Sequence, residues 1–264
     1  MTPSPVLISR PGSRGEVLAA TIEQGGWAVE RIDALRQEAI PQTPEMRAAW
    51  LDIDQFQRVV VISPFAAECL AEALDRYWPQ YPLGIAYYAL GAATARILNE
   101  RLGVAVHLPP TQAEEETSEA LLRLASLQSL AGQRMLLVAG EGGRTLLADT
   151  LEARGARVSR IAVYRRRLLV PSPVVQERLA QGNFRALVVS SGEILEHLAR
   201  WCGNTALNQP LIVSSVRLAT LAGELGFRAP VVASGATPAA LAVGVAQACD
   251  PEDADVDQDD LEKG

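Results

Sequence analysis

Small hydroxyl-bearing and glycine-rich clusters recur along this chain at the ends of short apolar runs. They are Arg10-Pro11-Gly12-Ser13, Ser63-Pro64, Gly91-Ala92-Ala93-Thr94, Thr117-Ser118, Gly140-Glu141-Gly142-Gly143, Ser190-Ser191-Gly192 and Ser214-Ser215. Such clusters present hydroxyls and unhindered backbone N–H groups, and a helix that starts at one aims its free N–H groups at an anion. The chemistry they fit is the holding of a multiply carboxylated or phosphorylated ligand by amides and hydroxyls rather than by arginine clamps. Each cluster alone is equally an ordinary helix N-cap or tight turn. The glycines around Gly140 lack the Lys-Ser/Thr of a phosphate-binding loop and the spacing of a dinucleotide fingerprint.

Acid–base equipment is sparse. The two histidines, His107 and His197, have no metal-ligand spacing, no Gly-x-Ser-x-Gly elbow occurs, and Cys69, Cys202 and Cys249 lie far apart with no Cys-x-x-Cys. The cysteines read as small buried hydrophobes, and neither a disulfide framework nor a metal site is expected. Tyr164 is the one titratable residue placed suggestively, at the end of an apolar run. A phenol with a reference pKa of about 10 is protonated at neutral pH and can donate to a departing hydroxyl. An aromatic that simply caps a strand is the alternative.

The elements that must position these residues are short continuous apolar runs, each followed by a turn and an amphipathic stretch, the pattern of parallel α/β layers. Strands are predicted over 6–9, 28–32, 59–62, 85–89, 135–138, 157–163, 186–189, 211–213 and 231–233. Helices are predicted over 14–25, 66–78, 92–102, 118–130, 143–154, 193–201, 215–225 and 237–248. Gly25-Gly26, Gly103, Gly155 and Gly226 supply the left-handed stops expected after such helices. In parallel sheets the loops beyond the carboxyl ends of strands gather at one edge, so the hydroxyl and glycine clusters are expected to converge there.

The chain also repeats itself. Residues 6–35 lie without a gap over 135–164 at a shift of 129, with nine identities: Leu7, Leu18, Ala19, Thr21, Glu23, Gly26, Val29, Arg31 and Ile32 face Leu136, Leu147, Ala148, Thr150, Glu152, Gly155, Val158, Arg160 and Ile161. Ordinary composition would give about two or three. A second echo sets 58–63 on 185–190, a shift of 127. Solenoid repeats run about 20 to 50 residues, so this long period points instead to two related domains facing each other across a cleft. A tandem cut near Leu130 and an interlaced arrangement, with a middle domain between connectors at 37–42 and 165–171, both satisfy the repeat. The connectors, each following one copy, favour the interlaced form.

Bulk properties bound the function. The 264 residues and 48% hydrophobic content suffice for two buried cores. The net charge of −7 resides in 250–264, where eight acids meet one base; residues 1–249 balance 23 acids with 23 bases. The acidic run is expected to be disordered, as a solubilising or an interaction tail. The neutral body offers no basic stripe for nucleic acid. The longest apolar stretch, 239–248, is shorter than the span of about 20 residues that a bilayer needs, and the first residues lack a signal-peptide pattern, so no membrane association and a cytoplasmic residence are expected.

Seven segments, taken in order, carry a resemblance: Val6-Leu7-Ile8-Ser9-Arg10-Pro11, Val60-Val61-Ile62-Ser63-Pro64 with Ala66-Ala67, Ala89-Leu90-Gly91-Ala92-Ala93-Thr94-Ala95, Thr117-Ser118-Glu119-Ala120-Leu121-Leu122, Gly140-Glu141-Gly142-Gly143-Arg144, Val163-Tyr164-Arg165-Arg166 and Val189-Ser190-Ser191-Gly192. The set resembles the uroporphyrinogen-III synthase family across nearly all of residues 6–248. The resemblance implies two similar doubly wound parallel α/β lobes joined by a two-stranded connector. One lobe is 1–36 plus 172–249 and the other is 43–164. It implies cofactor-free closure of hydroxymethylbilane to uroporphyrinogen III with ring D inverted and water lost, in a monomer that receives its substrate by transient hand-over from hydroxymethylbilane synthase. Tyr164 then corresponds to the proton donor. Arg10, Pro11, Ser63, Gly91, Thr94, Thr117, Ser118, Gly140, Ser190, Ser191, Gly192, Ser214 and Ser215 correspond to substrate-lining positions. Many bacterial members have threonine where Ile62 stands and arginine where Ala139 stands. A catalytically weak tetrapyrrole-binding relative, acting as a regulatory or carrier module, is the alternative reading, and a periplasmic-type small-ligand receptor is a third.

Overall fold

A computed structural model describes residues 4–109, 117–143 and 145–249. Arg144 of the glycine-rich segment and the acidic run 250–264 lie outside the described residues. The chain begins with β1 (Val6–Ser9), α1 (Ser13–Gln24), β2 (Val29–Arg31), β3 (Leu35–Ala39), α2 (Pro44–Leu51), β4 (Arg58–Val61), α3 (Pro64–Tyr77), β5 (Ala86–Ala89) and α4 (Ala92–Leu102). It continues through β6 (Val106–His107), α5 (Ser118–Leu121), β7 (Arg134–Gly140), α6 (Leu146–Ala153), β8 (Arg157–Leu168) and α7 (Pro173–Gln181). It closes with β9 (Ala186–Val189), α8 (Gly192–Ala199), β10 (Leu211–Val213), α9 (Val216–Glu224), β11 (Pro230–Val232) and α10 (Pro238–Cys249).

Two sheets result, ordered β11-β10-β9-β1-β2 and β3-β8-β7-β4-β5-β6. Every pairing in the first is parallel, as are those from β8 to β6 in the second. The strands are near-continuous apolar runs because helices cover both faces of each sheet. In the first, Leu7, Leu187, Val189, Leu211 and Val213 pack under α7, α8 and α9, while Val6, Ile8, Val188 and Ile212 pack under α1 and α10. In the second, Val59, Val61, Leu136 and Val138 pack under α2, α3 and α4, while Val60, Met135 and Leu137 pack under α5 and α6. The chain divides into two compact units, Met1–Arg36 with Leu168–Gly264, and Gln37–Arg167.

The repeat holds at the level of hydrogen-bond register. β1 pairs with β2 as Val6↔Val29, Leu7↔Glu30 and Ile8↔Arg31, and β7 pairs with β8 as Met135↔Val158, Leu136↔Ser159 and Leu137↔Arg160. The same shift of 129 relates every pair. Gly26 and Gly155, identical across the repeat, both have positive φ, 89° and 93°. The second echo is corrected by one residue. Val6 pairs with Ala186 where its counterpart Met135 pairs with Arg58, so the shift is 128 rather than 127, and the helix caps Ser63 and Ser191 obey it too. The reason is side-chain alternation: only the shift of 128 puts Val59 and Val61 on the face matching Leu187 and Val189.

Other expectations also change. The helix predicted over 118–130 stops as α5 at Leu121, followed by a 3-10 turn at Ala125–Leu127. The carbonyls that a longer helix would bond internally are taken by side chains: Gln128 Nε2 donates to Leu122 O (2.7 Å) and Leu124 O (3.2 Å), and Arg154 Nη1 donates to Leu122 O and Leu127 O (both 2.8 Å). Much of the expected connector sequence is strand. Ile40 N donates to Val163 O and Leu169 N to Ala34 O, so β3 and β8 run antiparallel, with Glu38 paired to Arg165 (3.7 Å) and Arg167 (3.4 Å). Helices α2 and α7 and the short β6 were not among the predicted elements. No helix among the described residues is long and apolar enough to cross a membrane.

Gly26 and Gly155 share a backbone conformation but differ in surroundings, since a Cβ on Gly26 meets nothing within 4 Å and one on Gly155 comes within 3.0 Å of Ala131 Cα. Gly26→Ala should therefore cost only the left-handed strain of about 1–2 kcal/mol. Gly155→Ala adds a backbone clash and should lower the midpoint of urea unfolding further; equal midpoints for the two variants would contradict this packing.

Candidate functional site

Because the strands of the first sheet and β8 to β6 of the second run parallel, the loops following them open on one edge of each unit. In the first unit, β1 leads into Arg10 and Pro11, β9 into Ser190, and β10 into Ser214. Ser191 is the N-cap of α8 yet makes no side-chain capping bond, and Gly192 begins that helix; Ser215 caps α9, accepting from Leu218 N at 3.4 Å. The Arg10 backbone lies so close over α1 that a Cβ on Gly15 would fall 2.0 Å from Arg10 O, which explains glycine there. Arg10 Nη1 is buried with no hydrogen-bond partner among the described residues. Burial, and then the neighbouring Arg14 charge, lower the Arg10 pKa below the ordinary arginine value. A cation held in this way favours an anionic group.

In the second unit, Ser63 follows β4 and caps α3, accepting from Ala66 N at 3.2 Å. Gly91 follows β5 and caps α4 without a side chain, Thr94 sits buried in the first turn of α4, and Thr117 caps α5 from Ala120 N at 3.2 Å, ahead of Ser118. Gly140 ends β7. Its pairing with β8 contains a register shift: Ala139 faces Ala162, but Gly140 faces Tyr164. The extra residue on β8 brings the Tyr164 ring against Gly140, where a Cβ would stand 2.6 Å from Tyr164 Cζ and 2.9 Å from its Oη. Ser63 Oγ donates to Tyr164 Oη at 3.2 Å, and the Phe65 ring meets the Tyr164 ring edge-on at 5.2 Å. Ser63, Gly140 and Tyr164 are thus in contact, whereas Thr94 is enclosed in its helix and the first-unit residues belong to a separate loop set.

A cavity of about 250 Å³ lies on the α5/α6 side of the second sheet. Ile62, Leu90, Leu137, Ala139 and Leu147 give it an apolar floor, and Thr117, Ser118, Glu119 and Arg160 a polar rim. Ile62 and Ala139 are both in this lining. Arg160, hydrogen-bonded to Gly142 O, brings a guanidinium to the same wall from β8. Sequence reasoning did not select Arg160 or Phe65. The signal for Arg160 was present in the repeat, where it is identical to Arg31 on the matching strand.

Both histidines are engaged, one within the second unit's sheet and the other on α8. His107 stacks on Tyr88 at 4.9 Å, and His197 Nε2 is 2.8 Å from Leu169 O. Cys69 lines a second cavity of about 180 Å³ beside Glu72 and Arg76. Burial, with Glu72 and Glu68 nearby, pushes its thiol up to about 11, and burial pushes Cys202 up to about 12. No group of three or more metal-ligating side chains occurs among the described residues.

The family model described as uroporphyrinogen-III synthase HemD matches residues 16–242. The chain belongs to the uroporphyrinogen-III synthase family. The uroporphyrinogen-III synthases of Escherichia coli K12 and Salmonella typhimurium LT2 are each 34% identical to it over 245 residues, covering 89% of this chain and 97% of theirs. Family membership makes the protein an enzyme of the cyclising-lyase kind. Among solved structures, a mutant uroporphyrinogen III synthase from Thermus thermophilus matches with a TM-score of 0.53 at 22% identity, over 90% of this chain and 96% of that one. The uroporphyrinogen-III synthetase of Helicobacter pylori 26695 matches at 0.56 and 13% identity, again over 90% and 96%. These two likenesses place the synthase fold on this chain.

Burial raises both thiols above the ordinary cysteine value and so disfavours the reactive thiolate at Cys69 and Cys202. Iodoacetamide at pH 8 should alkylate both far more slowly than a free cysteine of pKa about 8.5, by about a hundredfold or more. Peptide-resolved mass spectrometry reads the rates, and free-thiol rates at either residue would contradict the environments described.

Proposed function

We propose that this protein converts hydroxymethylbilane to uroporphyrinogen III, inverting ring D and releasing water, as a cofactor-free monomer in the cytoplasm that takes its unstable substrate from hydroxymethylbilane synthase. The product feeds tetrapyrrole biosynthesis leading to haem, sirohaem and cobalamin. The observation that carries the reading is the placement of Tyr164 within a chain of this family. Its phenol stands against Gly140 at the carboxyl end of β7, with its oxygen 3.2 Å from Ser63 Oγ.

The chemistry needs little more. Proton donation from Tyr164 to the terminal hydroxymethyl oxygen breaks the carbon–oxygen bond and releases water, leaving an electrophilic azafulvene. Ring D attacks this carbon through the α-carbon that already carries the methylene bridge to ring C. That bridge bond then breaks, leaving a second azafulvene on ring C, and the bridge carbon re-bonds at the free α-carbon of ring D, which inverts the ring. The proton lost from that α-carbon as the pyrrole is restored returns to the phenolate. Unassisted closure gives the type I isomer, so the protein's main task is to fold the chain until the required carbon of ring D is nearest. Eight carboxylates on the substrate suit many amide and hydroxyl donors. We assign these to Gly91, Thr117, Ser118, Ser190, Ser191, Gly192, Ser214 and Ser215, with Pro11, which has no N–H, and the enclosed Thr94 shaping their loops, and with the buried, unpartnered Arg10 Nη1 as the strongest anion contact.

Freshly generated hydroxymethylbilane, incubated with the protein, oxidised and resolved into porphyrin isomers, should yield predominantly type III. Type I alone, as without enzyme, would leave a tetrapyrrole-binding protein on the synthase fold. Tyr164→Phe should slow turnover about a hundredfold or more, the range for loss of a positioned general acid, while circular dichroism stays unchanged. Wild-type turnover in that variant would remove the proton-donor role.

A further inference from the structure

We propose that Ser63 and Gly140 are positioning residues for the Tyr164 phenol, acting through it rather than by touching the substrate. The inference rests on the reading of Tyr164 as proton donor. Four contacts fix the tyrosine. Its carbonyl accepts from Glu141 N at 2.7 Å across the register shift, its ring stands in space left open by Gly140, Phe65 meets the ring edge-on, and its hydroxyl oxygen accepts from Ser63. Ser63 is itself immobilised, because its Oγ accepts from Ala66 N as the cap of the 14-residue helix α3.

Ser63 Oγ accepts from Ala66 N and has one proton to give, and the phenol oxygen, 3.2 Å away, is in reach of it; the phenol's own proton is the one lost to the substrate. As Tyr164 gives that proton up, negative charge develops on an oxygen that already receives a hydrogen bond and lies at the N-terminus of α3. Both interactions strengthen with the charge. Ser63 thus contributes more in the transition state than in the substrate complex, and its loss should appear in kcat with KM little changed. Gly140 contributes differently: any side chain there must displace the ring.

The test is a double-mutant cycle with Ser63→Ala, Tyr164→Phe and both together, assayed for type III product, alongside Ser63→Thr and Gly140→Ala. Ser63→Ala should lower kcat about tenfold with KM within about twofold, and should cost nothing further in the Tyr164→Phe background. Ser63→Thr, which keeps both the cap and the donor, should recover turnover to within about threefold. Gly140→Ala should lower kcat in the wild-type background only. Equal losses from Ser63→Ala in both backgrounds, or a rise confined to KM, would show that Ser63 touches substrate and would overturn its positioning role. Wild-type turnover by Tyr164→Phe would instead overturn the proton-donor reading, and this inference with it.

Discussion

The register shift between β7 and β8 is the constraint on which the second unit's site depends. Up to Ala139 the two strands pair residue for residue, and then two residues of β8 stand opposite one of β7. A bulge of this kind re-aims the side chain after it. Without it Val163 would face Gly140. With it, the tyrosine does, and its ring takes the volume that a side chain on β7 would have filled. The glycine, the serine cap of α3 and the edge-on phenylalanine are then mutually determined, because each borders the same ring.

Duplication explains how such a site arises on a symmetrical plan. The two sheets share strand order and register through β2-β1-β9-β10-β11 and β8-β7-β4-β5-β6. Yet their chemistry has diverged at matched positions. Under the shift of 129, Tyr164 corresponds to Leu35, Gly140 to Pro11, and Ala139 to Arg10. One copy therefore keeps a half-buried arginine after its first strand and the other keeps the phenol. Arg31 and Arg160 remain alike in identity, but Arg31 lies 3.7 Å from Glu16 whereas Arg160 borders a cavity.

Much of this was legible in the sequence where the determinants are local. The strands at 6–9, 186–189 and 211–213 and the helix at 92–102 arise from apolar runs and a glycine stop, and the structure has the same limits. The loops after the strands were legible for the same reason. The features that escaped depend on partners distant in sequence. Beyond the short α5, the side chains of Arg154 and Gln128 take the carbonyls of Leu122, Leu124 and Leu127 that a longer helix would bond internally. The contact between Ser63 and Tyr164 spans 101 positions, and nothing in either segment alone announces it. The one-residue error in the second echo arose because the arginines at 58 and 185 attract an alignment, whereas burial of alternate residues sets the register.

Beyond α5 the chain builds a wall with side chains instead of helix. Thr117 and Ser118 open the polar rim of the cavity, and the backbone behind them is gathered by Arg154, which reaches from the end of α6 to two carbonyls. A helix distributes its integrity over many equivalent bonds; this stretch gathers much of it into the Gln128 amide and the Arg154 guanidinium, neither of them among the lining residues. Shape and lining are accordingly separable, so the dimensions of the cavity can drift between relatives through a residue outside it while the groups that meet a ligand stay the same.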